Sequence, residues 1–128
     1  MTTITFKNGE TLEVQSVWGR KDVFQNANRD TLEIRIPATE DIFEKLKAIY
    51  TNSDTLSEIS VEEKDDEGNV TASSFHTNFT LGMELGLKSI NDVEMWTMKI
   101  ARKSEIEIMQ EQQAIEIEKL KALITAST

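Results

Sequence analysis

His76 is the single histidine of the chain, and Ser73 and Ser74 stand just before it. A hydroxyl beside an imidazole is the start of nucleophilic catalysis, because the ring can take the proton as the oxygen attacks. In an alternating strand Ser74 and His76 share a face. The sequence places no acid beside them to orient the ring, so a surface strand position is the plainer reading. Asp65, Asp66, Glu67 and Asn69, with Gly68 between, have the oxygen-rich opening of a calcium loop. Their spacing departs from that pattern and no bidentate Glu closes it. A solvated, charged turn is expected there, with Glu62 and Glu63 on the same wet edge. Trp18, Gly19, Arg20 and Phe24 form an aromatic and basic cluster. Trp18 and Phe24 are expected to close one end of a core while Arg20 and Lys21 face water. The 23 acids allow a carboxylate pair, but nothing singles one out. The chain has no cysteine, and Gly82 and Gly86 lack the context of a phosphate-cradling loop. No catalytic residue, metal ligand or cofactor is assigned.

The more telling spacing lies near the C-terminus. From Asn91 to Thr128 there is neither Gly nor Pro. Met95, Met98, Arg102, Ile106, Met109, Gln113, Ile117, Leu120 and Ile124 follow at steps of three or four, which puts them on one face of a helix. Such a helix over Val93 to Ile124 would run roughly 45–50 Å, longer than a small domain is wide. Ser89 or Asn91 is expected to start it. A stripe of that length calls for cover, and copies of the same chain supply it most simply, as a trimer or dimer. Met98, Ile106, Met109, Gln113, Ile117, Leu120 and Ile124 are the residues expected to hold that oligomer. Residues 106, 109, 113 and 117 close an eleven-residue period, which favours a straight or slightly right-handed bundle. Gln113 can bond its symmetry mates and fix register. Ile108 and Ile115, with Ala101 and Ala122 near them, make a second apolar strip on nearly the opposite face. The other arrangements are a helix folded back on its own head and a helix docked on a different protein.

The elements before the helix read as a β-rich head. Asn8-Gly9 is a hairpin signal, because both residues tolerate positive φ. Strands are expected at Ile4–Lys7 and Thr11–Trp18, then a loop from Gly19 to Asn28. Leu32, Ile34 and Ile36 alternate with Thr31, Glu33 and Arg35, as in an antiparallel strand with one face buried. Pro37 ends it. Thr39 can cap a helix with Glu40 and Asp41 in its first turn. Ile42, Phe43, Leu46, Ile49 and Tyr50 give that helix an apolar face. Leu56, Ile59 and Val61 begin a further strand, and Val70 to Leu81 returns. Gly82 and Gly86 suggest a bulge, a bend or a close approach. One more strand can lie at Met83–Leu87.

The net charge is −9, so a uniform basic surface for phosphate backbones is absent and no nucleic-acid partner is expected. Met1 to Phe6 lacks the basic and apolar regions of a signal peptide. No apolar run approaches the ~20 residues of a membrane span, so no membrane partner is expected.

A β-rich head followed by a long terminal helix resembles minor structural proteins, tail- or baseplate-associated, of tailed phages and Gram-positive prophages. The residues that carry the resemblance are Ile4-Thr5-Phe6-Lys7-Asn8-Gly9-Glu10-Thr11-Leu12-Glu13-Val14, the pattern Phe24 … Arg29-Asp30-Thr31-Leu32-Glu33-Ile34, and the segment Val93 to Leu123. The resemblance implies an oligomeric virion component without catalysis. It would bind other phage structural proteins, and be present in the host cytoplasm during assembly and then in the virion. The sequence thus predicts an α+β chain. Residues 1–90 form an antiparallel head of order β-β-β-α-β-β with one packed helix, and residues 91–128 a long oligomerising helix. The alternative is a small acidic protein that binds and inhibits a host or phage protein. An enzyme of unfamiliar type would need a pocket around Trp18, Phe24 and His76.

Overall fold

A computed structural model describes residues 2–39 and 42–127, apart from the side chains of 126 and 127. The chain is α+β, with two four-stranded antiparallel sheets, short helices and a long C-terminal helix. In order the elements are β1 (Thr2–Phe6), β2 (Thr11–Val14), β3 (Ser16–Phe24), β4 (Ala27–Pro37), α1 (Ile42–Tyr50) and α2 (Ser53–Leu56). They continue with β5 (Glu58–Lys64), β6 (Val70–Thr77), β7 (Leu81–Ile90), β8 (Val93–Ala101) and α3 (Glu105–Ser127). The first sheet has the strand order β2-β1-β5-β6, and the second β3-β4-β8-β7.

The Asn8-Gly9 hairpin forms as its residues dictate. Gly9 sits at φ +88°, and the Glu10 amide donates to Asn8 Oδ1 at 3.0 Å. The chain passes from the first sheet to the second at Gln15, whose amide bonds the Arg35 carbonyl at 2.8 Å. The stretch Gly19–Asn28, expected as a loop, is instead the turn end of the β3–β4 hairpin. Its two-residue turn, Gln25-Asn26, has positive φ at both positions, and Asn91-Asp92 does the same between β7 and β8. Such turns match the strand twist but commonly use glycine, so neither dipeptide announces itself.

Both sheets and both short helices share one apolar core. Ile4, Phe6, Leu12, Val14, Ile59 and Val61 come from the first sheet, and Leu32, Ile34, Ile36, Met98 and Ile100 from the second. Leu46, Ile49 and Leu56 seal it from α1 and α2, while Phe43 stacks on Trp96 with ring centroids 5.0 Å apart. The expected acidic first turn at Glu40 and Asp41 lies outside the described residues. The suspicion about Gly82 is met twice. The register shifts between Gly82 and Glu84, and the Tyr50 ring lies so close that a Cβ on Gly82 would come within 2.7 Å of it.

The largest departure concerns residues 91–104. They are not helical: Asn91-Asp92 is a turn and Val93–Ala101 is the strand β8, hydrogen-bonded to β4 on one side and β7 on the other. Trp96, Met98 and Ile100 alternate toward the core, while Met95, Thr97 and Ala101 are also buried. A strand covered on both faces loses its period-two signature. Its methionines then fall by accident at helical spacing with the true helix that follows. The long helix begins at Glu105, fourteen residues after the expected start at Asn91.

Candidate functional site

Helix α3 starts where four local features agree. Ser104 and Glu107 form a reciprocal capping box: the Glu107 amide donates to Ser104 Oγ at 3.2 Å, and the Ser104 amide donates to Glu107 Oε1 at 2.9 Å. Glu105 and Glu107 place negative charge in the first turn, where the helix dipole favours it. The segment just before is tied to the head by the Arg102 amide on the Asp30 carbonyl (2.8 Å) and the Lys103 amide on the Asn78 carbonyl (3.0 Å). Arg102 and Lys103 reach forward to Glu105 (2.7 Å) and Glu111 (2.5 Å).

Beneath the first turn lies Arg29, on β4, with 4% of its surface exposed. A buried guanidinium must find acceptors for its charge. Here Nε donates to the Phe24 carbonyl at 2.8 Å, and Nη1 donates to the Arg102 carbonyl at 3.3 Å and to the Glu107 carboxylate. Glu107 is held down to a pKa of about 2, first by Arg29 and then by Ser104. The helix is therefore set in a socket that fixes its exit from the head. The pair joins residues far apart in the chain, so local sequence gives no hint of it. The Ser104-x-x-Glu107 box, by contrast, is legible.

Beyond this socket the helix leaves its own head. From Met109 to Ile124 every residue is exposed. Ile106, Met109, Gln113, Ile117, Leu120 and Ile124, all expected on the oligomer seam, do lie together on α3. Met98 does not belong with them. It sits fully buried on β8, because the strand that carries it is the centre of the second sheet. Arg102, expected within the stripe, precedes the helix, and Ala101, expected near the second strip, ends β8 in the core. The second strip keeps Ile108, half-buried near the socket, and Ile115 and Ala122, both exposed.

The other chemical candidates are placed differently. Ser74 Oγ and His76 Nε2 are 3.0 Å apart, and the His76 ring meets Phe79 edge-on at 5.5 Å. Burial lowers the His76 pKa. The pair lines a cleft of about 240 Å³ between the sheets, with Val17, Gly19, Leu32, Val61 and Glu63. Serine is thus the hydrogen-bond partner of the ring, with no carboxylate bonded to it among the described residues. Trp18 does not close the core as expected. It lies on the outer face of the second sheet under Arg35, whose guanidinium carbon is 4.8 Å from the ring centroid. On that face Lys99 stands between Glu33 (3.8 Å) and Glu84 (3.7 Å), so the charges there satisfy one another. Asp65 accepts the amides of Glu67 (3.0 Å) and Asn69 (2.9 Å), which lowers its pKa and makes the β5–β6 connection an ordinary charged turn. Among the described residues no three His, Asp or Glu side chains are grouped to hold a metal ion. No helix among them is long and apolar enough to cross a membrane.

Comparison with known protein families, with curated proteins and with solved structures gives no match to this chain.

Proposed function

We propose that this chain is a non-enzymatic assembly protein that self-associates through α3 and presents its head as a repeated surface to a neighbouring component. One observation carries the reading: a 23-residue helix bears Ile106, Met109, Ile117, Leu120 and Ile124 in solvent. Burying such side chains is worth about 1.5–3 kcal/mol each, and the chain's own head leaves them uncovered. The socket of Arg29 and Glu107 adds to it, since a helix held at a set exit presents its seam in a defined direction. The resemblance of the head-and-helix plan to minor phage structural proteins suggests the setting. In that setting the chain is a tail or baseplate component, made in the host cytoplasm and then carried in the virion beside other phage structural proteins.

The test is mass in solution. The parent chain should scatter light as two or more copies at micromolar concentration. Ile117→Asp with Leu120→Asp buries two unpaired carboxylates in any such seam and should yield single chains. The head should be unaltered, because neither residue touches its core. A parent that is already a single chain would remove the reading.

A further inference from the structure

We infer that α3 pairs with α3 of a second copy in antiparallel orientation, with the dyad at Gln113. This deepens the self-association proposed above and rests on it.

The spacing of the seam carries the first argument. Ile106, Met109, Gln113, Ile117 and Leu120 are separated by steps of three, four, four and three. That series reads the same from either end, with Gln113 at its centre. A two-fold axis through Gln113 therefore sets Ile106 level with Leu120 of the other copy and Met109 level with Ile117. The two Gln113 side chains meet on the axis, where an amide can both donate and accept. In this register Ile124 comes level with the other copy's Arg102, at the foot of its head. Each apolar residue from Ile106 to Leu120 then has a partner, and residues 122–127 of each helix pass the first turn of the other to reach the foot of its head.

Charge carries the second argument. The first half of α3 holds Glu105, Glu107 and Glu111, and no basic residue intervenes between Lys103 and Lys119. Lys119 and Lys121 lie in the second half, with Glu116 and Glu118 just before them. About the Gln113 axis Lys119 is level with Glu107 of the other copy and Lys121 with its Glu105. On a shared flank of the pair the neighbours are Lys119 with Glu105 and Lys121 with Glu107, within one turn. The contacts of these acids inside their own chain run through Oε1, which leaves Oε2 for the lysines. Parallel pairing gives Glu116 the Lys121 five residues on, but sets Glu105, Glu107 and Glu111 level with their own copies. Flanking charges of this kind choose helix orientation.

The heads supply the third argument. Residues 1–104 hold 18 acids against 12 Lys and Arg, a net charge of −6 for the head. Parallel helices would hold two such heads side by side. Antiparallel pairing puts the two Ser104 caps about 27 Å apart along the axis, well beyond a Debye length of ~8–10 Å. The Ile115–Ala122 strip faces outward in this pair.

The chain has no cysteine of its own, so introduced thiols report without interference. Ile106→Cys and Leu120→Cys, both at exposed positions of α3, are prepared separately, one with a mass tag. Each is oxidised alone and after mixing and exchange, with light scattering run alongside. The mixture should give a tagged–untagged disulfide pair at least tenfold above the homodimers of either variant alone. Homodimers from each variant alone would overturn the antiparallel pairing and leave self-association standing. Absence of any cross-link at the mass of a dimer would also overturn it. Single chains throughout would instead remove the self-association on which it rests.

Discussion

Helix α1 holds Leu46 and Ile49 at 0% and 1% exposure, whereas on α3 Ile106, Leu120 and Ile124 remain 68%, 58% and 65% exposed. Both helices announce themselves by apolar residues at steps of three and four. The difference lies in what stands beside them. Helix α1 has nine residues and one apolar side, and both sheets lie within its reach. Helix α3 has 23 residues with apolar positions on two opposite sides, and its first turn is fixed over Arg29. A stripe shows that a helix face requires cover. Whether the cover comes from the same chain depends on where the helix is anchored.

The sharpest break of this comparison is Leu46→Ala. A cavity at a fully buried leucine should cost about 2–5 kcal/mol of head stability, read as a lower denaturant midpoint by tryptophan fluorescence. Leu120→Ala should leave that midpoint in place. Gly82→Ala tests what holds α1 down. Its Cβ would meet the Tyr50 ring at the end of α1, so the ring must move, at about 1–3 kcal/mol. A stability equal to the parent's would show that Tyr50 yields freely.

Glu107→Gln probes the socket instead. It removes the carboxylate from a buried guanidinium and should lower the melting temperature by a few degrees. Hydrogen exchange at the Ile108 amide, bonded to the Ser104 carbonyl at 3.0 Å, should quicken. Acid should act in the same way. The Glu107 pKa is depressed in the folded chain, so its contribution is complete above the unfolded value of about 4.3 and is lost as pH falls through about 2. Protection at Ile108 should decline across that window, while that of the α1 amides, held by apolar packing, declines only with the whole head. The smallest effect belongs to the seam: Leu120→Ala should change single-chain head stability by no more than about 0.5 kcal/mol and act on association alone.

Parts of this fold are legible residue by residue. The Asn8-Gly9 turn, the alternation of Leu32, Ile34 and Ile36, and the face of α1 are signals in which local preference and tertiary placement agree. Strand β8 is the opposite case. With Met95 and Thr97 buried on one side and Met98 and Ile100 on the other, alternation disappears, and what remains resembles a helix. Strand β3 has Gly19-Arg20-Lys21-Asp22 at its middle, and its pairing with β4 holds it in place through backbone bonds that no side chain advertises. For the candidate seam, Ile106 to Ile124 could be named from spacing because they occupy a true helix. Met98 was drawn in by a periodicity that crosses the end of a strand.

By itself the sequence determined the first hairpin, the amphipathic α1 and a long helix near the C-terminus, though not its start at Glu105, because each depends on contacts among near neighbours. Only the tertiary structure decided that residues 93–101 are the middle of a sheet, that Arg29 is buried beneath Glu107, and that α3 points away from the head. Those facts depend on partners many residues distant, and the free energy of such contacts is set by what the rest of the chain leaves uncovered.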